Sequence, residues 1–241
     1  GRRLRRPRRW GGVVKLCTFE ADGALRFGVR VDGGIAEATG WLPEGPRLRL
    51  ALADGRLSEL EPLTSARPDF RLEQVRFRPP ILEPRRIICV GVNYDDHRQE
   101  TGRAKSDHPT LFVRWPSSLV GHENPLVRPR ESVRFDFEGE LAVVIGRAGR
   151  RIPAARALEH VAGYSCFDDG SVRDYQRHTS QFTPGKNFEA SGGFGPWLIT
   201  ADEIPDPSAL ELETRVDGEV MQGARTEDLI FDVPHLIEYI S

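Results

Sequence analysis

Long apolar runs are missing from this 241-residue chain. No stretch approaches the roughly 18 residues of a bilayer-spanning helix, so no membrane-spanning helix is expected. Cysteine is scarce: Cys17, Cys89 and Cys166 are odd in number and far apart. That spacing excludes a disulfide framework or a zinc site and reads as buried, reduced thiols of a cytoplasmic protein. No apolar segment follows the charged N-terminal residues, so no signal peptide is expected. Net charge is only −2, which removes any global pull towards nucleic acid or a membrane surface. Lysine is nearly absent: of 34 basic residues only Lys15, Lys105 and Lys186 are lysines. Methionine occurs once, as Met221, with no initiator. What remains is a globular composition, 39% hydrophobic and 29% charged, long enough for one large domain or a small and a medium one.

The ends differ from the middle. Residues 1–12 hold a run of arginines and Trp10. Such an arm could contact nucleic acid. Because arginine is favoured throughout, a disordered basic tail outside the folded protein is the simpler expectation. Residues 13–77 read as a small β-rich module, with Asp22-Gly23 and Asp32-Gly33 as hairpin turns. Residues 61–85 are rich in proline and arginine without clear period and read as a linker. Ile87–Val92 reads as a buried strand, and Asn93–Gly102 as a polar segment starting a short helical turn. Pro153–His160 reads as a short helix, Val161–Phe167 as a strand ending in an acidic turn, and 176–196 as loop. Leu210–Val220 alternates around Asp217-Gly218, and residues 229–241 are apolar at helical spacing.

The chemistry concentrates in four places. Phe135–Gly146 alternates like a strand, with Phe135, Phe137, Leu141, Val143 and Ile145 on a core face. Glu138 and Glu140 share the other face, roughly 7 Å apart. Adjacent like charges on a strand repel, so either the face is solvated or a cation neutralises it. Asp168-Asp169 closes the apolar strand at 161–167 as a turn, a cap or a third oxygen donor. With Glu138 and Glu140 it would offer a hard-ligand site suited to Mg²⁺, Mn²⁺ or Ca²⁺. His97 and Glu100 stand three apart, a spacing that serves a surface ion pair or a general base with its orienting carboxylate. Lys186 stands out in an arginine-using chain, in a glycine-flanked loop where a compact ammonium is called for. Arg114 ends an apolar strand and is placed to face the same cleft.

Together these pieces resemble the fumarylacetoacetate hydrolase family, in its acylpyruvate hydrolase and 2-hydroxyhepta-2,4-diene-1,7-dioate isomerase-like branch. The matching segments are Val90–Glu100, Phe137–Gly146, Gly163–Gln176 and Gly185–Glu189, with Val216–Gln222 as a further strand pair. The resemblance covers roughly residues 84–241. It implies an α+β, β-rich fold: a mixed β-sandwich or roll catalytic domain behind the small N-terminal module. It implies a homodimer, with no nucleic-acid or membrane partner. It also implies Mg²⁺ or Mn²⁺ at Glu138, Glu140 and Asp169, and an acid–base pair of His97 and Glu100 on a lid. Lys186, Arg173 and Gln176 would lie near substrate and its developing negative charge. The chain departs from the family at Asp168, usually Asn, and at Asn187 and Glu189. The family continues into a further strand and a Gly-Thr-Pro-Gly loop, so the sequence reads as cut at Ser241.

The function implied is divalent-metal-dependent hydrolysis of a C–C bond in a 2-oxo or diketo acid, acylpyruvate-like, through an enolate. In it His97 would activate water and Lys186 would stabilise the oxyanion. The same site would suit isomerisation of a 2-hydroxy-dienedioate from aromatic catabolism, or decarboxylation of oxaloacetate. A metal-binding fragment without turnover is the non-enzyme alternative.

Overall fold

The computed structural model describes residues 14–42, 45, 47–94 and 106–241. His97, Glu100 and the basic tail lie outside the described residues. The strands are β1 (Lys15–Ala21), β2 (Ala24–Val31), β3 (Gly34–Glu37), β4 (Arg76–Arg78), β5 (Ile87–Gly91), β6 (Thr110–Arg114), β7 (Leu119–Val120) and β8 (Phe135–Asp136). Then follow β9 (Gly139–Ile145), β10 (Val161–Asp168), β11 (Ser171–Val172), β12 (Gly192–Phe194), β13 (Leu198–Thr200), β14 (Glu211–Val216) and β15 (Glu219–Arg225). Helices are short: Leu48–Ala53, Arg173–Gln176, Thr183–Lys186 and Val233–Ile240. The fold is therefore β-rich α+β, as the sequence implied.

One sheet organises the molecule. Its order is β3-β2-β1-β13-β10-β12-β7, with β4 on β1 and β9 on β10. The N-terminal hairpins are continuous with the strands that carry the acidic residues, because β1 pairs β13 at Leu16↔Leu198. β1 has buried residues on both faces. Leu16 packs in the main core with Phe27, Val29 and Leu198, while Cys17 and Phe19 pack in a second cluster with Ile35 and Phe77. Gly163 in β10 permits the close approach of β13: a Cβ there would lie 2.1 Å from the Ile199 carbonyl oxygen.

Several expectations change. The alternating stretch at 135–146 is two strands, not one. β8 pairs β11, β9 pairs β10, and the chain breaks between them at Phe137-Glu138. Its faces differ too: Ala142 and Val144 pack on the main core, Leu141 and Val143 on another cluster, and Ile145 is half-exposed. A strand covered on both sides cannot be split into core and solvent faces by period alone. Residues 61–85 are not an unstructured linker: a 3-10 helix spans Leu57–Ser65, and β4 pairs β1 at Phe19↔Phe77. Ile87–Gly91 is not buried; it forms a separate two-stranded sheet with β6 and leaves Ile88 exposed. Cys166 is exposed, whereas Cys17 is buried. The 176–196 segment holds the helix at 183–186 and strand β12.

Candidate active site

The break before β9 builds the site. The β9–β10 register sets Glu140 opposite Phe167 and Gly139 opposite Asp168. The break is then stitched to the acidic turn. The Glu138 N–H donates to Asp168 Oδ1 at 2.9 Å, and the Asp169 N–H donates to the Glu138 carbonyl at 2.8 Å. These bonds bring Glu138, Glu140, Asp168 and Asp169 together although thirty residues of chain separate the two segments.

Three cations meet them. Lys186 ends the helix at Thr183–Lys186 and is buried, its Nζ over the Phe112 ring. It bridges two carboxylates, at 2.5 Å to Glu138 Oε2 and 2.7 Å to Asp169 Oδ2. Arg173 pairs with Glu138 Oε1 through Nη1 and with Asp136 Oδ2 at 2.6 Å through Nη2. Its Nη1 also donates to Gln176 Oε1 at 3.1 Å. Arg114, at the end of β6, is buried and binds Asp169 Oδ1 at 2.5 Å. Every carboxylate oxygen of Glu138 and Asp169 thus faces a cation.

Glu140 is the exception. Among the described residues its carboxylate has no hydrogen bond or ion pair. Its carboxyl is pushed up to about 8, by burial first and then by Glu138 and Asp169, against the pull of Lys186. For Glu138 burial also acts upward, but Lys186 and Arg173 outweigh it and hold the carboxyl below its usual range. Burial raises Asp168, partly offset by the Glu138 N–H. Cys89 is held far up as an inert thiol, by burial and then Asp169.

The donor set fits a hard divalent ion by chemistry: it is oxygen-only, sets the five carboxylates of Asp136, Glu138, Glu140, Asp168 and Asp169 against the three cations Arg114, Arg173 and Lys186, and leaves Glu140 without a hydrogen bond among the described residues. Among the described residues no three acidic, histidine or cysteine side chains are grouped as a metal site; Lys186 closes Glu138 against Asp169 instead.

The fold brings into one cluster Glu138, Glu140, Asp169 and Lys186, singled out from the residues, and Arg173 and Gln176, named through the family resemblance. Sequence reasoning missed Asp136 as an Arg173 partner and Ser191 and Ser118 as Arg114 partners. Asp136 lies at the end of β8, Ser118 in a 3-10 turn and Ser191 in a loop, and single polar residues in such places carry no periodic signal that could have marked them. Asn187, read only as a departure, ties the strand carrying Arg114 to the end of the helix carrying Lys186. Its Oδ1 accepts the Trp115 N–H at 2.7 Å, and its Nδ2 donates to the Val113 carbonyl at 3.0 Å.

The β-rich fold thus carries a buried cluster of carboxylates and cations at the end of β10. Residues 86–241 match the family described as fumarylacetoacetate (FAA) hydrolase C-terminal, and the chain belongs to that family. An uncharacterised protein of Archaeoglobus fulgidus is 41% identical over 170 residues, 70% of this chain and 66% of that one. Oxaloacetate tautomerase Fahd2a, mitochondrial, of Rattus norvegicus is 35% identical over 232 residues, 96% of this chain and 68% of that one. The fumarylacetoacetate hydrolase structure from Exiguobacterium antarcticum superposes with a TM-score of 0.82 at 35% identity, covering 95% of this chain and 81% of that one. A maleylpyruvate hydrolase from Sphingobium sp. SYK-6, in complex with manganese(II) ion and pyruvate, superposes at 0.75 with 28% identity over 94% of this chain and 82% of that one. Named relatives are thus enzymes acting on oxo acids. Among the described residues no helix is long and apolar enough to cross a membrane.

Proposed function

We propose that this chain is a divalent-metal-dependent enzyme that forms the enolate of a small 2-oxo acid and directs its protonation. The reading is a keto–enol tautomerisation of an oxaloacetate-like dicarboxylic acid. The observation that carries it is the cluster in which Lys186, Arg173 and Arg114 saturate Glu138 and Asp169 while Glu140 stays unpaired. Sequence alone ranked hydrolytic C–C cleavage first, with isomerisation or decarboxylation close behind; the oxaloacetate tautomerase relatives are what favours tautomerisation here. The rat tautomerase aligns with 96% of this chain.

Glu138, Glu140 and Asp169 would hold the ion, which supplies Lewis-acid polarisation of a 2-oxo acid's carboxylate and keto oxygens. The manganese and pyruvate of the Sphingobium neighbour support that pairing of ion and ligand. Lys186 offers a buried ammonium to the oxygen that gains charge as the enolate forms; a donor fixed beforehand in a dry site needs little reorganisation. Arg173 and Gln176, already hydrogen-bonded to each other, are the pair to orient the substrate's distal carboxylate. A second reading, C–C hydrolysis of an acylpyruvate, is favoured by the hydrolase neighbours.

The test is a substrate panel on metal-stripped protein, with and without Mg²⁺ or Mn²⁺. Enol-oxaloacetate, an acylpyruvate and 2-hydroxyhepta-2,4-diene-1,7-dioate are followed by ultraviolet absorbance. Metal-dependent ketonisation of enol-oxaloacetate as the fastest reaction is expected. Faster acylpyruvate cleavage would favour the second reading, and no turnover of any substrate with either metal would sink both.

A further inference from the structure

We propose that Arg114 is the positioning residue of this site: a buried counter-ion that fixes the orientation of the Asp169 carboxylate by holding one oxygen and leaving the other to Lys186. The proposal rests on the metal-centre reading above. Arg114 has no solvent-exposed side-chain surface. A buried charge persists only when it is paired and its hydrogen bonds are satisfied. The guanidinium meets that condition four times. Nη1 donates to Asp169 Oδ1 at 2.5 Å and to the Gly170 carbonyl at 3.2 Å. Nη2 donates to Ser191 Oγ at 2.7 Å, and Nε donates to Ser118 Oγ at 3.3 Å. Its plane also lies over the Phe167 ring, at 5.7 Å.

The cradle is shaped for a fork. A Cβ at Gly192 would lie 2.7 Å from Nη2, so the glycine leaves the space the guanidinium fills. Ser191 is itself anchored, its hydroxyl donating to the Phe188 carbonyl at 2.6 Å. Arginine's planar donors suit such a set of fixed acceptors; a lysine ammonium keeps the charge but cannot reach partners on three sides. The consequence falls on Asp169. Arg114 takes Oδ1, which leaves Oδ2 to Lys186, the ammonium that also binds Glu138. Asn187 holds the backbone on both sides of Arg114, so the guanidinium cannot drift with its strand. Residues that orient a ligand from behind typically contribute about 10–100-fold to metal affinity.

The experiment is Mn²⁺ titration of the metal-stripped full chain, read by the electron paramagnetic resonance of free Mn²⁺. It compares wild type, Arg114→Lys, Asp169→Asn and the double variant, with thermal unfolding run in parallel. Arg114→Lys is expected to stay folded and lose about 10–100-fold in Mn²⁺ affinity. In the Asp169→Asn background the same substitution should cost nothing further, because its effect passes through Asp169. Should Arg114→Lys fail to fold, Ser191→Ala removes one anchor of the fork and should weaken Mn²⁺ in the same direction, again only while Asp169 is present. Wild-type affinity in a folded Arg114→Lys, or a loss that persists undiminished without Asp169, would overturn the proposal. For an unfolded Arg114→Lys, wild-type affinity in Ser191→Ala would overturn it. A wild-type chain that takes up no Mn²⁺ would instead overturn the metal-centre reading beneath it.

Discussion

At the scale of single residues the site is an exercise in charge balance. Glu138 and Asp169 are saturated by cations, and Glu140 carries what is left over. In the metal-free fold Glu140 keeps its proton up to about 8, whereas an unfolded glutamate loses it near about 4.3. Between those values the folded form binds the extra proton, so this group's contribution to stability falls as pH rises. Thermal unfolding of metal-free protein should show that decline from about pH 5 to 8, and Glu140→Gln should remove this component. A divalent ion must displace the same proton, so Mn²⁺ affinity should rise with pH up to about 8, with proton release visible by calorimetry in buffers of different ionisation enthalpy. Lys186→Met leaves two buried carboxylates without their shared ammonium. Urea unfolding of the metal-free variant should show a loss of about 3–5 kcal/mol, the usual cost of breaking a buried pair from one side. Most of these residues were legible in the sequence because carboxylates on alternating positions and a rare lysine are compositional anomalies. The distant partners of Arg114 were not legible: Asp169 and Ser191 lie far from it along the chain, and only the fold brings them to the guanidinium that Ser118, four residues on, meets locally.

At the scale of elements the site depends on how strands meet. The hairpins at Asp22-Gly23 and Asp217-Gly218 were readable, since both central residues take positive φ there, as such two-residue turns demand. The interruption between β8 and β9 was not, because a strand covered on both faces gives no periodic cue to where it breaks. Yet that interruption turns the Glu138 N–H and carbonyl to the acidic turn of β10. β10 in turn needs its close contact with β13. Gly163→Ala would press a Cβ against the Ile199 carbonyl. Overpacking of this kind should cost about 1–3 kcal/mol in urea unfolding and weaken the site along with the sheet. Residues 76–78 show the opposite lesson. A proline- and arginine-rich stretch without period still supplies a strand, because β1 offers an open edge to pair with.

At the scale of the whole molecule, one continuous sheet joins the N-terminal hairpins to the strands that carry the acids, and the chemistry sits where β9 and β10 end. That arrangement, with membership of the fumarylacetoacetate hydrolase family, underlies the central claim that Glu138, Glu140 and Asp169 hold a divalent ion on which oxo-acid chemistry depends. Oxalate is a planar dianion shaped like the enolate of pyruvate, and its binding tests the claim without needing to know which bond breaks. The decisive measurement is calorimetric titration of oxalate into metal-stripped protein, alone and with Mn²⁺, for wild type and Glu140→Gln. Binding by the wild type only when Mn²⁺ is present, and loss of that binding in Glu140→Gln, is the expected result. Equal binding with and without Mn²⁺, or binding that survives Glu140→Gln unchanged, would contradict it.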